Sequence, residues 1–272
     1  VTGTTTVTTS ADDATITLNT STNAFTGAVT LTTNDGDGTA ANVTIDGGTT
    51  ALVIAASTVD GDLTLTSGNV AGITDTGTLT IGGNLSATTD DNAGVVTLDS
   101  LAVDGSIALA TNSTGNATVS NDAGLIFAAS TVGGTLSATA VTGNVSDTGT
   151  QAITGAATYI TQATGSNIIL DDSANTYAAQ VTFKADTGGN EAFGNLTFVD
   201  TGGIHLDANA GAAGDLWIDA TTDGAVGGIL TLTAASGDVT QTQSLAVTGA
   251  TSVTTSGSNA TIALANTSNS FG

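Results

Sequence analysis

Cysteine, proline, methionine and arginine are all missing from these 272 residues, and a single lysine, Lys184, stands against 24 acidic side chains. Each absence excludes something. Without cysteine there is no disulfide framework, no thiolate nucleophile and no cysteine-based metal centre. With a formal charge of −23 the chain has no basic face for phosphates, so nucleic acid and anionic lipid are excluded as partners. No apolar run approaches the roughly 20 residues needed to cross a bilayer as a helix, so no membrane insertion is expected. Aromatic residues make up only 3%, which leaves a thin core to be built from Val, Ile, Leu, Ala and Thr methyls. At 39% hydrophobic residues the chain is nevertheless too apolar for a disordered acidic tail, and it is expected to fold.

What is present is recurrence. The opening VTGTTTVTTSADDATITLNTSTNAFT returns as VTGATSVTTSGSNATIALANTSNSFG, residues 247 to 272, with 14 of 26 positions identical and no gap. Further copies start near 81 and 153 and place Val96 with Leu98, and Ile168 with Leu170, where Ile16 and Leu18 stand in the first. Ile262, Leu264, Phe25, Tyr177 and Phe271 complete the set expected to form the repeated core. Between the copies, apolar residues fall two apart in short runs such as LTLTS and VTLTT, with Thr and Ser in the alternate places. That period predicts short strands with one face in and one face out.

Strands this short cannot cover their own apolar faces, so each needs a neighbouring unit stacked on it. The fold expected is all-β, a β-solenoid of about 18–20 residues per coil and ~14 coils, arranged as one array over residues 1–272. The absence of proline agrees, because a stacked strand uses every N–H in its ladder. Paired glycines such as Gly82-Gly83, Gly133-Gly134, Gly188-Gly189 and Gly202-Gly203 are expected at corners of positive φ. Neither end reads as a polar cap, so the expectation is a window on a longer fibre, or a subunit partnering itself end to end through open tips.

The segments DTGTLTIGG (75 to 83), DTGTQAITG (147 to 155) and QTQSLAVTG (241 to 249), together with NLTFVDTGGIHLDA (195 to 208), resemble the long filamentous-haemagglutinin-like β-strand repeat proteins of bacterial surfaces, many exported by two-partner secretion. The resemblance implies a right-handed parallel β-helix, an extracellular, cell-surface location and work as an adhesin or fibre.

Candidate sites are few. Asn34, Asp35 and Asp37, in NDGDG, alternate oxygen ligands with glycine as a hard cation requires, which makes calcium the one cofactor to weigh. Asp90-Asp91 and Asp171-Asp172 stand at similar turns. Trp217, between Leu216 and Ile218, falls on the outward register, where an indole stacks on a sugar ring or a lateral neighbour, so surface glycans are a candidate partner. Catalysis on a β-helix needs clustered carboxylates with a base, and Lys184 and His205 are the only candidates for that base. The reading that follows is a non-catalytic structural or adhesive segment of an extracellular fibre, acting as a rigid rod. The alternatives are a sheath or surface-layer subunit that stacks end to end and, more distantly, a polysaccharide-active enzyme.

Overall fold

The computed structural model describes residues 1–34, 36, 41–186, 193–208, 211–220 and 224–272. These contain 32 strands and no helix, and the strand pairings are parallel throughout. Parallel strands stack in about 11 coils of about 22 residues, a β-solenoid that fits the expected parallel β-helix. The chain divides into two compact units: residues 1–123 with 131–135, and residues 124–130 with 136–272.

In the first unit the stacking can be followed residue by residue. Val43 pairs with Leu63, Leu63 with Leu85 and Leu85 with Ile107, at separations of 20, 22 and 22 residues. Two residues on, Ile45, Leu65, Ala87 and Leu109 form a second column, and every member of both is at most 1% exposed. A typical coil supplies three strands, such as Leu63–Ser67, Ile73–Asp75 and Leu79–Ile81. Burying one Leu or Ile side chain is worth about 1.5–3 kcal/mol, and the columns repeat that gain at every coil.

Coil stacking is also recorded at the turn before each of these strands. The side-chain oxygen of Asn42 accepts the N–H of Asp62 at 2.7 Å, Asp62 accepts that of Asn84 at 2.7 Å, and Asn84 accepts that of Ser106 at 2.9 Å. The second unit repeats the device with Asn144, Asn167 and Asn195, which accept the N–H groups of Asn167, Asn195 and Ile229 at 2.8, 2.6 and 2.8 Å. A short amide or carboxylate is the side chain that reaches a neighbouring turn's donor without leaving its own strand. The glycines beside this ladder are there for room. A Cβ on Gly83 would lie 2.4 Å from an Asp62 carboxylate oxygen and one on Gly82 2.4 Å from the Asp60 carbonyl, while neither residue has positive φ. Left-handed turns fall elsewhere, at Gly48 and Gly72 and at Asp13 and Asn92. The expectation of positive φ at the paired glycines is corrected accordingly; Gly188 and Gly189 lie outside the described residues.

In the second unit the columns hold larger side chains. Ala138 pairs with Tyr159, Tyr159 with Phe183 and Phe183 with Ile218, all fully buried. Coil separations widen to 24 residues between Ala157 and Val181 and 35 between Val181 and Leu216.

Most of the predicted core is in place. Ile16, Phe25, Val96, Leu98, Ile168, Leu170 and Tyr177 are buried. Leu18 and Leu264 are half-buried, whereas Ile262 and Phe271 are 47% and 45% exposed. These last two belong to the outermost coil of the second unit, which packs on a neighbour from one side only. The equivalent positions also change face. Ile16 and Val96 lie in different sheets of the first unit, as Ile168 and Ile262 do in the second. The sequence copies are therefore not separated by whole coils, and dividing their spacings into whole coils gave a length a little short of the one observed.

Candidate functional site

The second unit departs from regular coiling between residues 204 and 219. Strand Ile204–Leu206 and strand Asp215–Asp219 lie side by side in parallel, with His205 opposite Asp215 and Leu206 opposite Leu216. Only residues 207–214 connect them, fewer than the dozen or more a parallel connection ordinarily takes. The order across the sheet is Val181–Ala185, Asp215–Asp219, Ile204–Leu206, Val239–Gln241, so the later strand is laid back between two others. Gly214, at φ +84°, supplies the backbone reversal, and its carbonyl accepts the His205 N–H at 2.7 Å.

This insertion brings His205 to Asp215. The imidazole Nδ1 lies 3.1 Å from Asp215 Oδ1, while Asp215 Oδ2 accepts the N–H groups of Gly211 at 2.8 Å and Ala212 at 2.6 Å. Burial works to raise the Asp215 pKa, but those two N–H groups and the imidazole outweigh it, and the carboxyl sits below its ordinary value. With Nδ1 facing the Asp215 carboxylate, the tautomer that donates from Nδ1 leaves Nε2 as an acceptor. His205 itself is part-exposed on the outward register, and Thr240 stands opposite it on the next strand.

Beside this pair is a cleft of about 320 Å³ lined by Tyr177, Asp200, Gly203, His205, Gly214 and Thr240, among others. Asp200 is 2% exposed. Desolvation raises its pKa, opposed by the N–H groups of Gly202, Tyr177 and Thr201. Behind it Tyr177 turns its hydroxyl inward to that of Tyr159, 3.1 Å away, so it offers the cleft little but its backbone and ring edge.

The predicted site residues fare differently. Asp35 and Asp37 lie outside the described residues; Asn34 is exposed, and nearby Gly36 donates its N–H to the Asp12 carboxylate. Asp90 and Asp91 border a second, acidic cleft of about 250 Å³ in the first unit, with Asp46. Among the described residues no group of three or more His, Asp or Glu side chains could hold a metal ion. Lys184 and His205 are not brought together: Lys184 is opposite Asp219, four residues along from Asp215, and two strands from His205, so they are about 16 Å apart at about 3.3 Å per residue and 4.8 Å per strand. Lys184 instead faces Asp186, at 3.6 Å. Trp217 is half-buried on the outer face, opposite Thr182. Asp215 and Asp200 were missed. The signal for Asp215 was the gap from IHL to DLW, too short for a coil, which marks an inserted strand.

Among the described residues no helix is long and apolar enough to cross a membrane. Comparison with curated proteins and with solved structures found no match. A family described as repeats of unknown function (DUF5649) matches residues 1–32, 40–112, 114–184 and 193–272. With nearly its whole length covered by those matches, the chain belongs to that repeat family.

Proposed function

We propose that this chain works mechanically, as a stiff, protease-resistant, non-catalytic segment of an extracellular surface fibre. The observation that carries the reading is the doubling of the coil-to-coil bonds. Backbone ladders run through each unit, and the Asn and Asp side chains at the turns tie the same coils a second time. Force along such a stack loads many hydrogen bonds together. The acidic coat keeps neighbouring copies apart, and one lysine with no arginine leaves trypsin-like proteases a single basic residue. Electron microscopy of the native material and force spectroscopy on the purified chain test this. Continuous filaments and unfolding in steps of about one coil, some 22 residues, support it; globular particles that unfold at negligible force overturn it.

A second reading is a sheath or surface-layer subunit that stacks end to end, which the recurrence of segment 1–26 as 247–272 favours. Sedimentation velocity over a range of concentrations separates the two readings: a strictly monomeric chain is inconsistent with subunit stacking.

A further inference from the structure

We infer that the cleft beside His205 binds a hydroxyl-rich ligand without negative charge, of about the size of a sugar ring, with the Nε2 of His205 as the central acceptor. The inference does not depend on the mechanical reading and goes beyond it. It begins from the inserted strand, which does more than extend the sheet. Strands Asp215–Asp219, Ile204–Leu206 and Val239–Gln241 set Asp215, His205 and Thr240 side by side in one row on the outer face. Asp215 is 4% exposed and anchored through both oxygens, so the imidazole is held from behind and its remaining nitrogen is free to accept. A histidine that served packing alone would not need a buried carboxylate fixed by two backbone N–H groups to orient it.

The cleft's chemistry narrows the ligand. Its volume of about 320 Å³ is at the small end of ligand sites, which run from about 300 to 1,000 Å³. Asp200 and Asp238 line it, and no lysine or arginine does, so in a chain of charge −23 an anionic ligand is repelled. Asp200, His205 and Asp238 line the cleft, but no group of three His, Asp or Glu side chains among the described residues is placed to hold a metal ion. An apolar ligand would strand the acceptors and the Thr240 hydroxyl that border the space. What remains is a ligand that donates several hydrogen bonds and carries no negative charge. Trp217, two residues along the strand from Asp215, is on the same outer face but does not line the cleft.

Saturation-transfer NMR on the full chain, with soluble oligomers of glucose, mannose, galactose and N-acetylglucosamine and with an oligogalacturonate, tests the site. At least one neutral oligomer is expected to receive saturation. His205→Ala and Thr240→Val should each weaken its binding about tenfold, the loss of one good hydrogen bond. Trp217→Ala and Lys184→Ala, at residues that do not line the cleft, should leave it unchanged. Thr240→Val touches neither Asp215 nor the backbone, so it reports on the site even if the histidine variant misfolds. Three results would each overturn the inference: no saturation of any neutral oligomer, wild-type binding in the Thr240→Val chain, or oligogalacturonate bound as well as the neutral sugars.

Discussion

From Val43 to Leu109 the first unit fills its core with Val, Ile, Leu and Ala in columns that advance 20 to 22 residues per coil. From Phe127 to Phe198 the second unit packs rings instead: Phe127, Tyr159, Tyr177, Phe183 and Phe198 meet mostly edge to face, with centroids 5.2 to 6.4 Å apart. Of nine aromatic residues in the chain only Phe25 belongs to the first unit. The same parallel ladder thus accepts two kinds of filling. The aliphatic filling keeps coils uniform and buries mostly small hydroxyls, such as those of Ser57, Ser67 and Thr89, together with the Asn121 amide. The aromatic filling accompanies longer coils and carries polar atoms inward: the paired phenols, and a buried network in which Asp147 accepts from Asn175 at 2.6 Å and Asn175 accepts the Gln151 N–H at 2.7 Å. The strand Asp215–Asp219, laid back beside Ile204–Leu206, and with it the His205 cleft, is in that second unit.

The largest test of this contrast is to empty each core at its centre. Tyr159→Ala should cost about 3–5 kcal/mol and Leu65→Ala about 2–5 kcal/mol. Hydrogen exchange should show each loss centred on its own unit. If the tyrosine variant loosens the Leu63–Ser67 region as much as its own neighbourhood, the units are one cooperative block and the comparison fails.

A smaller effect separates ring from hydroxyl. Tyr159→Phe keeps the ring but leaves the Tyr177 hydroxyl buried and unpaired, at a cost of about 1–3 kcal/mol. Adding Tyr177→Phe should restore most of that in a denaturant titration. A double variant no better than the single would show that the hydroxyl pair is not what the cores differ by.

The ladder is the feature the units share, so its loss should weigh about equally in both. Asn84→Ala in the first and Asn167→Ala in the second are each expected to cost about 1 kcal/mol, read as a shift of the denaturation midpoint. A loss confined to one unit would mean that the side-chain ladder matters only where coils are uniform, or only where they are not.

The smallest effect is the response to acid. Desolvation raises the folded-state pKa of Asp147 and Asp200 in the second unit and of Asp75 in the first. A carboxyl with a raised folded pKa binds its proton more readily folded than unfolded, so its contribution is greatest below the unfolded value and is lost as pH rises through the folded one. Protection should therefore increase as pH falls from neutral toward about 4, more in the second unit, and Asp200→Asn should flatten that slope. Asp215, lowered, acts in the opposite sense: its contribution is present above the ordinary carboxylate value and is lost only as pH falls through the lower folded one. A slope unchanged by Asp200→Asn would remove Asp200 from this account.

Alternation at Leu63 and Leu65 or at Leu230 and Leu232 was enough to give strands and their buried faces, because a strand's side-chain period is fixed by backbone geometry alone. Stacking followed, since ribbons so short cannot cover themselves. That Asn42, Asp62 and Asn84, each just before a strand, serve the next coil's N–H needed the register. Calcium at Asn34, Asp35 and Asp37 rested on local spacing, and two of the three lie outside the described residues.

By itself, then, the sequence determined the class of structure: all-β, parallel, coiled and sparing of aromatics, because local periodicity and composition constrain those directly. It could not determine the coil length, since its copies recur at intervals that are not whole coils and move from one face to another. Nor could it place Asp215 against His205, ten residues away. That contact exists only because a later strand is laid back between earlier ones, and which strand neighbours which is settled by the packing of the folded chain and not by any short stretch of it.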